Sequence, residues 1–283
     1  MLVLPRLKRK IKMPTQFEPN SPEPHYLTMQ NGDRLAYHSH LQDKVSASEP
    51  GVIFLCGHGS DMDGTKALTL HHMAEIEGFG FTRFDYFGHG ASDGDFLEGT
   101  ISRWTDDCLA ILDAVTTGPQ ILVGSSLGGW VMLTAALARP SRIAGLIGIA
   151  AAPYFTETLI WNELDEAQQQ EMKRTGKIAL PNPYADEDVV YPYSLITDGR
   201  NNLVMNAPVN LTMPVCLFHG MQDNEVPWRT ATSLSETLVS EAVTLHLDKS
   251  AGHRFSSPEQ LAAICQAVRV MRGDINRAHE EMS

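Results

Sequence analysis

The segment ILVGSSLGGW, residues 121–130, joins an apolar run to a helix-like run through a turn of small residues. Glycine weakens both strands and helices, and a packed core gains nothing from Ser125 and Ser126 at this point. The sequence GSSLG, residues 124–128, matches G-x-S-x-G, in which a serine lies on a sharp turn between a strand and a helix. The segment therefore predicts a nucleophile elbow that exposes the Ser126 hydroxyl at the carboxyl edge of a sheet.

Strand-like and helix-like patterns alternate along most of the remaining chain. Mostly continuous apolar runs, which are typical of parallel strands covered on both faces, occupy residues 51–57, 81–88, 120–125, 143–152, 214–220 and 242–248. Amphipathic segments lie between or after them, at Thr65–Glu77, Ile101–Thr117, Leu127–Arg139, Trp228–Ser240 and Pro258–Arg272. This order predicts an α/β fold with a mainly parallel, doubly wound sheet and right-handed crossovers.

Residues 154–206 interrupt the alternation and are too long for a simple connection in a compact domain. We predict that they form an inserted lid with one clear helix. Residues 25–283 then make up a single α/β domain, and residues 1–24 form an N-terminal tail. The first 13 residues of the tail carry five basic side chains and no acidic one. They are interpreted as a solvated tail or as sequence upstream of a true start at Met13, with a short transit-like segment as the alternative.

Charge and hydropathy exclude two classes of partner. The formal net charge is -12, which disfavours binding to phosphate backbones, so nucleic acid is not an expected partner. No apolar run is long enough to span a bilayer, so integral membrane association is not expected. Four scattered cysteines, without a C-x-x-C pair or metal-ligand spacing, indicate a reducing compartment such as the cytoplasm: Cys56, Cys108, Cys216 and Cys265. The sequence does not specify an oligomeric state.

A serine nucleophile needs a general base, and the base needs an orienting acid. For the elbow motif the order along the chain is serine, acid, histidine. Asp223 directly follows the apolar run 214–220, and His253 follows the run 242–248. Both side chains would therefore lie at the same sheet edge as Ser126, where ligands bind in parallel α/β folds. We predict a catalytic triad of Ser126, Asp223 and His253.

Three other residues compete for these roles. Glu225 lies two residues beyond Asp223 and remains an alternative acid. His219 precedes the turn and is expected to be structural, and His246 lies within a strand, where it would pack or face solvent. A lone histidine or aspartate in a loop is usually only solvated, but three candidates in order at three strand ends favour the triad.

Backbone N–H groups are expected to form the oxyanion hole. Leu127, the residue after the nucleophile, supplies one, and the loop LCGHGSDMDG after the first apolar run supplies the other. The position of the loop predicts the N–H of His58, and a shift of register would give Gly59 or Ser60 instead. The His58 side chain would line the pocket or face solvent.

The candidate substrate-binding residues are Gly57, Gly59, Trp130 and Phe155. Trp130 lies four residues into the helix, where a position in the core is the common alternative. Further apolar residues of the lid could complete a wall for an acyl chain, or could only seal the lid onto the domain: Leu159, Ile160 and Trp161. In the loop 83–94, Asp85 and Ser92 are predicted to hydrogen-bond the backbone and to be structural.

Several segments together resemble the α/β-hydrolase superfamily from about residue 25 onward. They are MDGTKAL (62–68), the FDY and SDG of FDYFGHGASDG, GPQILVGSSLGGW (118–130), ARP (138–140), HGMQD (219–223) and VPW (226–228). More closely, they are similar to the mitochondrial palmitoyl-protein thioesterases and acyl-glucuronide esterases and to their bacterial relatives. The resemblance implies Ser126 as nucleophile, Asp223 as acid and His253 as base. It also implies ester or thioester cleavage, and it raises the mitochondrial matrix as an alternative location.

The sequence thus predicts a serine hydrolase that cleaves a small-molecule or lipid-acyl ester or thioester through an acyl-enzyme on Ser126. This chemistry needs no metal and no organic cofactor. A general carboxylesterase or a carbon–carbon bond hydrolase for small substrates is the alternative, because the same triad serves all three activities and only the pocket differs. A non-catalytic binding protein on the same fold is the third hypothesis.

Overall fold

The computed structural model describes residues 23–46, 48–181 and 188–282. The predicted tail up to residue 22, including the alternative start at Met13, and residues 182–187 of the predicted lid lie outside them. Ten strands are described: β1 His25–Thr28, β2 Arg34–His40, β3 Gly51–Leu55, β4 Phe81–Phe84, β5 Gln120–Ser125, β6 Ile143–Ile149, β7 Lys177–Leu180, β8 Val189–Pro192, β9 Val215–Gly220 and β10 Val243–Asp248.

The central sheet has eight of these strands in the order β1-β2-β4-β3-β5-β6-β9-β10. Strands β3 to β6, β9 and β10 pair in parallel, which confirms the predicted sheet. Every residue of β3, β4, β5 and β9 is buried, as expected of continuous apolar runs in the middle of a sheet. The edge strand β10 instead shows partly exposed side chains throughout.

Strands β1 and β2 are antiparallel to their neighbours and extend the sheet at one edge. The sequence patterns do not predict them. β1 has only four residues, three of them exposed, so it lacks the apolar run that marks the central strands.

Seven helices are described in the same ranges: α1 Thr65–Glu77, α2 Ile101–Ala114, α3 Leu127–Ala138, α4 Glu166–Thr175, α5 Tyr193–Asn201, α6 Arg229–Thr237 and α7 Pro258–Met282. α2 packs against α3 and α1 packs against α7, so the helices flank the sheet in two groups. α7 continues ten residues beyond the predicted end at Arg272, because its apolar face still reaches the core through Ile275.

Helix α6 ends at Thr237, before the predicted end at Ser240. The next residues leave the helix to pair with a loop: the Val209 N–H donates to the Thr237 carbonyl at 2.9 Å, and the Val239 N–H donates to the Val209 carbonyl at 3.0 Å. These inter-segment bonds replace the last helical turn.

The lid is an insertion between β6 and β9, as predicted, but its content differs from the prediction. Its described residues hold two α-helices, α4 and α5, a π-helical turn at Thr156–Ile160, a 3-10 turn at Trp161–Glu163 and the antiparallel pair β7–β8, where the sequence predicts one clear helix. α5 fastens the lid to the domain, because the Asp198 carboxylate accepts hydrogen bonds from the backbone N–H of Ser102 at 2.8 Å and from its hydroxyl at 2.6 Å. Ser102 lies in the first turn of α2, where an anionic partner is favourable.

In the described part of the chain, no helix combines the length and the apolarity needed to cross a bilayer. All four cysteines are buried and unpaired.

Candidate active site

Ser126 lies on the turn between β5 and α3 with φ 54° and ψ -117°, an uncommon conformation for a residue other than glycine. The two flanking glycines allow this turn. A Cβ on Gly124 would overlap the carbonyl of Gly128, and a Cβ on Gly128 would overlap the carbonyl of Leu55. The requirement for small residues two positions before and after Ser126 is therefore steric. The structure has the strained strand–turn–helix unit that the sequence predicts.

Replacing Gly128 with alanine should destabilise the fold, because the new methyl group would overlap the backbone of β3 rather than a movable side chain. We expect the free energy of unfolding to fall by about 1–3 kcal/mol or more. Urea unfolding followed by circular dichroism measures this change. Gly273→Ala in α7 is the matched control: a methyl group there has open space, and the change should raise stability by about 0.5–1 kcal/mol. Equal stability of Gly128→Ala and wild type would contradict the steric argument.

Ser126, His253 and Asp223 form one line of hydrogen bonds. The Ser126 Oγ and the His253 Nε2 are 3.1 Å apart, and the His253 Nδ1 and the Asp223 Oδ2 are 2.8 Å apart. The three side chains come from loops at the carboxyl ends of β5, β9 and β10, as the strand order requires. Such a line can take a proton from a serine hydroxyl and stabilise the imidazolium that forms.

The Asp223 carboxylate is buried and fully hydrogen-bonded. Its Oδ1 accepts the backbone N–H groups of Glu225 at 2.9 Å and Val226 at 2.8 Å. Burial opposes ionisation of this carboxyl, but the hydrogen bonds from His219 and His253 outweigh that effect and hold the pKa of Asp223 well below its usual range. Asp223 is therefore a carboxylate at neutral pH, as a partner of a histidine base must be.

The alternative residues lie close to this line, but none of them occupies the position of the acid. The Glu225 Oε2 is 3.8 Å from His253 Nε2, on the side of Ser126 and not on the Nδ1 side. His219 is fully buried and its Nε2 lies 3.1 Å from the Asp223 Oδ2, so it supports the acid from behind. His246 is exposed and stacks on Phe218, with ring centroids 4.8 Å apart.

The loop after β3 carries the three candidates for the second oxyanion donor. The Gly59 N–H donates to His89 Nε2 at 3.2 Å, and the Ser60 N–H donates to the Gly57 carbonyl at 3.1 Å. Within the described residues the His58 N–H donates no hydrogen bond. Leu127 begins α3, so its N–H has no partner within the helix. These contacts leave His58 and Leu127 as the two donors that are available to a ligand.

Asp85 and Ser92 tie two rim loops together, which confirms their structural interpretation. The Asp85 carboxylate accepts the backbone N–H groups of Met62 at 2.7 Å and Ala91 at 2.8 Å. The Ser92 hydroxyl donates to the Asp85 carbonyl at 2.7 Å. Burial raises the pKa of Asp85 to about 6, although its backbone hydrogen bonds oppose that effect.

The His58 side chain is half-buried among aromatic rings. It stacks on Tyr191, with centroids 5.6 Å apart and planes 20° apart, and it lies 4.7 Å from the Phe96 ring and 5.6 Å from the Phe155 ring. Burial lowers the pKa of His58 to about 3, with a smaller contribution from His89. At neutral pH His58 is therefore an uncharged ring in the wall of the site.

A cavity of about 1190 Å³ opens between the rim loops and the lid. Most of the predicted site residues line it: Gly57, His58, Gly59, Ser126, Leu127, Phe155 and His253. The lid contributes mostly apolar side chains, among them Leu159, Ile160, Leu180 and Val189, together with the carboxylate of Glu163. The opposite side is charged and includes Asp61, Lys66, Glu225 and Arg254. The cavity thus joins an apolar region and a polar region at the Ser126 hydroxyl.

The position of Trp130 does not fit its predicted role as a substrate-binding residue. It is fully buried and is not among the described residues that line the cavity. Its indole N–H donates to the Asn202 carbonyl at 3.0 Å, and its ring meets the edges of Tyr154 and Phe155. Trp130 therefore packs behind the wall and supports Phe155, which is the core alternative considered for it.

Sequence reasoning does not identify three aromatic residues that line the cavity, Phe54, Phe96 and Tyr191. Phe96 follows the glycine-rich loop 83–94, and Tyr191 lies in β8 of the lid, so their approach to His58 depends on long-range packing. The Pro- and Tyr-rich composition around Tyr191 is the one signal in the sequence. Among the described residues, no group of three or more His, Cys, Asp or Glu side chains is arranged to hold a metal ion.

Comparison with known proteins gives matches over most of the chain. A family model described as serine aminopeptidase, S33, an α/β-hydrolase family, matches residues 48–185. The mitochondrial palmitoyl-protein thioesterase ABHD10 of Mus musculus is 42% identical over 212 residues, which cover 75% of this chain and 71% of the mouse protein. The Homo sapiens protein of the same name is 40% identical over 214 residues, 75% of this chain and 69% of the human protein.

Two solved structures are similar in fold and in sequence. A hydrolase from Agrobacterium vitis S4 superposes with a TM-score of 0.83 at 36% identity and covers 88% of this chain and 98% of its own. The alpha/beta hydrolase domain-containing protein 10 from mouse has a TM-score of 0.79 at 34% identity and covers 93% of this chain and 100% of its own. The overall fold of the chain thus has counterparts of known structure.

Proposed function

The chain belongs to the α/β-hydrolase family, and from this membership we propose that it is a serine hydrolase that cleaves acyl thioesters or esters through an acyl-enzyme on Ser126. The observation that carries the proposal is the line of hydrogen bonds from Ser126 through His253 to Asp223, which ends inside a large cavity under the lid. The palmitoyl-protein thioesterase name of the mouse relative supports acyl thioesters as the first substrate class to test.

In the proposed reaction, His253 Nε2 takes the proton of the Ser126 hydroxyl as Oγ attacks the acyl carbonyl carbon. The N–H groups of Leu127 and His58 bind the oxyanion of the tetrahedral intermediate. His253 then returns the proton to the leaving thiol or alcohol, and the acyl group stays on Ser126. A water molecule gives a proton to His253 as it attacks this ester. The intermediate then collapses with release of the acid, and His253 returns the proton to the Ser126 Oγ. Asp223 keeps the imidazole oriented throughout.

The two sides of the cavity suit different parts of a substrate. The apolar lid side, with Phe155 and Leu159, suits the hydrocarbon part of an acyl group, because burying each methylene is favourable by about 0.8 kcal/mol. The charged side, with Lys66 and Arg254, suits a polar leaving group. This arrangement favours substrates that are apolar on the acyl side and polar beyond the scissile bond.

The proposal predicts a chain-length preference. Acyl thioesters from butyryl to palmitoyl, and matched oxygen esters, should show kcat/KM rising by about tenfold or more with chain length. Phe155→Ala should lower the rate for palmitoyl substrates more than for butyryl substrates, because it removes apolar wall against which a longer chain buries more methylene groups. The measurement is steady-state hydrolysis across the series, with Ser126→Ala as the inactive control. A preference for short or bulky oxygen esters would keep the triad and move the assignment to a general carboxylesterase.

The location of the protein in the cell can be tested directly. Unpaired cysteines support a reducing compartment, and the mitochondrial names of the thioesterase relatives support the matrix alternative over the cytoplasm. Cell fractionation followed by detection of the native chain distinguishes the two.

A further inference from the structure

His89, in the loop after β4, is a buried histidine that the proposed mechanism does not use. It is 3% exposed and lies within an aromatic cluster. Its ring centroid is 5.0 Å from Phe96, 5.3 Å from Trp104 and 5.5 Å from Tyr86. Such packing fixes the orientation of the ring, and hydrophobic neighbours alone do not require a histidine there.

The two nitrogens of His89 hold backbone groups of two different loops. Nε2 accepts the Gly59 N–H at 3.2 Å, and Nδ1 lies 3.2 Å from the Phe87 carbonyl oxygen. Because Nε2 accepts, it carries no proton, so Nδ1 carries the proton and donates to Phe87. One neutral tautomer satisfies both contacts. Burial lowers the pKa of His89, which agrees with this neutral form.

Helix α2 anchors the other end of this connection. The Phe87 carbonyl also accepts the indole N–H of Trp104 at 3.1 Å, and the Phe87 N–H donates to the Asp107 carboxylate at 2.8 Å. Trp104 and Asp107 are both fully buried. A chain of hydrogen bonds therefore runs from α2 through Phe87 and His89 to the loop after β3.

Gly59 is the residue next to His58, and its backbone has φ +67°. The Gly59 N–H belongs to the peptide that joins His58 to Gly59, and the His58 Cα links this peptide to the one that carries the His58 N–H. The hydrogen bond to His89 therefore holds the loop in place one peptide beyond the proposed oxyanion donor. We propose that His89 is a positioning residue that holds the Gly59 N–H away from the cavity and thereby fixes the His58 N–H as the second oxyanion donor. This inference rests on the proposed hydrolase function.

Two substitutions separate the hydrogen bond from the packing. His89→Phe keeps a planar ring among the aromatic neighbours but has no acceptor for the Gly59 N–H. His89→Gln places a carbonyl oxygen near the position of Nε2 and restores an acceptor. His38→Leu is the matched control, because His38 is also a buried histidine, 5% exposed, but lies in β2 away from the cavity.

We expect His89→Phe to lower kcat by about 100-fold with KM changed less than about threefold, since a displaced oxyanion donor weakens the transition state more than the bound substrate. His89→Gln should recover about tenfold of that loss, and His38→Leu should stay within about threefold of wild type. A trifluoromethyl ketone that forms a tetrahedral adduct with Ser126 should lose affinity for His89→Phe, and its reduced alcohol should not.

Several outcomes would overturn the inference. These are a His89→Phe enzyme with the kcat of wild type, a loss of kcat equal to that of His38→Leu, or an unchanged affinity for the trifluoromethyl ketone. If His89→Phe does not fold, His89→Leu takes its place in the comparison with His89→Gln, and equal rates for the two would have the same meaning. An inactive wild type, or an active Ser126→Ala, instead contradicts the proposed function and is recognised before any His89 variant is measured.

Discussion

Ser126→Ala should lower kcat/KM for every cleaved substrate by about 10⁶-fold, because the loss of the nucleophile removes both the acyl-enzyme and the partner of His253. The fold should persist. Alanine fits the same turn, because the flanking glycines that prevent steric overlap at the turn are unchanged. Circular dichroism and the thermal unfolding midpoint verify the fold, and steady-state hydrolysis measures the loss.

The neighbouring serine provides a matched control. Ser125 is 8% exposed and lies one residue earlier, at the end of β5, so Ser125→Ala should stay within about tenfold of wild type. Intact-protein mass spectrometry after treatment with a fluorophosphonate should show one adduct on wild type and on Ser125→Ala, and none on Ser126→Ala. Activity that persists in Ser126→Ala would end the proposal of a serine nucleophile and favour another hydrolytic group, whereas a wild type with neither activity nor adduct would favour a binding protein.

Asp223→Asn should lower kcat by about 10⁴-fold, because an amide in place of the carboxylate favours the wrong tautomer of the base and no longer stabilises the imidazolium. The 2.8 Å contact between Asp223 Oδ2 and His253 Nδ1 is the basis of this expectation. The substitution also changes the contact with His219, so thermal unfolding is measured in parallel to separate lost stability from lost rate.

Glu225→Gln tests the alternative acid in the same assay. The Glu225 carboxylate lies 3.8 Å from the other ring nitrogen, so its loss should change kcat by less than about tenfold. A larger loss for Glu225→Gln than for Asp223→Asn would reverse the assignment of the acid. The double variant shows whether Glu225 sustains the residual rate of Asp223→Asn, in which case its loss would exceed the product of the two single losses.

The fold and the three side chains of the candidate triad can be predicted from the sequence, because both depend on local patterns. Continuous apolar runs predict buried parallel strands, and Ser126, Asp223 and His253 each follow such a run within a few residues. The carboxyl ends of parallel strands meet at one edge, so order along the chain is enough to bring the three together.

The features that could not be predicted from the sequence depend on contacts between distant segments. The pairing of β7 with β8 and the approach of Tyr191 to His58 are set by the packing of the lid, which no periodicity encodes. Trp130 lies on a helix that is buried on nearly all sides, so no amphipathic pattern shows which side meets the cavity. The tautomer of His89 can be assigned only when the hydrogen-bond partners of both ring nitrogens are known.

The position of the lid in the chain bears on how this enzyme can change over evolutionary time. The insertion lies between β6 and β9, and α5 fixes its end to α2 through Asp198. The strands β5, β9 and β10, which precede the three residues of the candidate triad, all lie outside this insertion, and β6 and β9 pair with each other directly. Mutations in the lid can therefore be selected for a new acyl group one at a time, with the chemical step already in place.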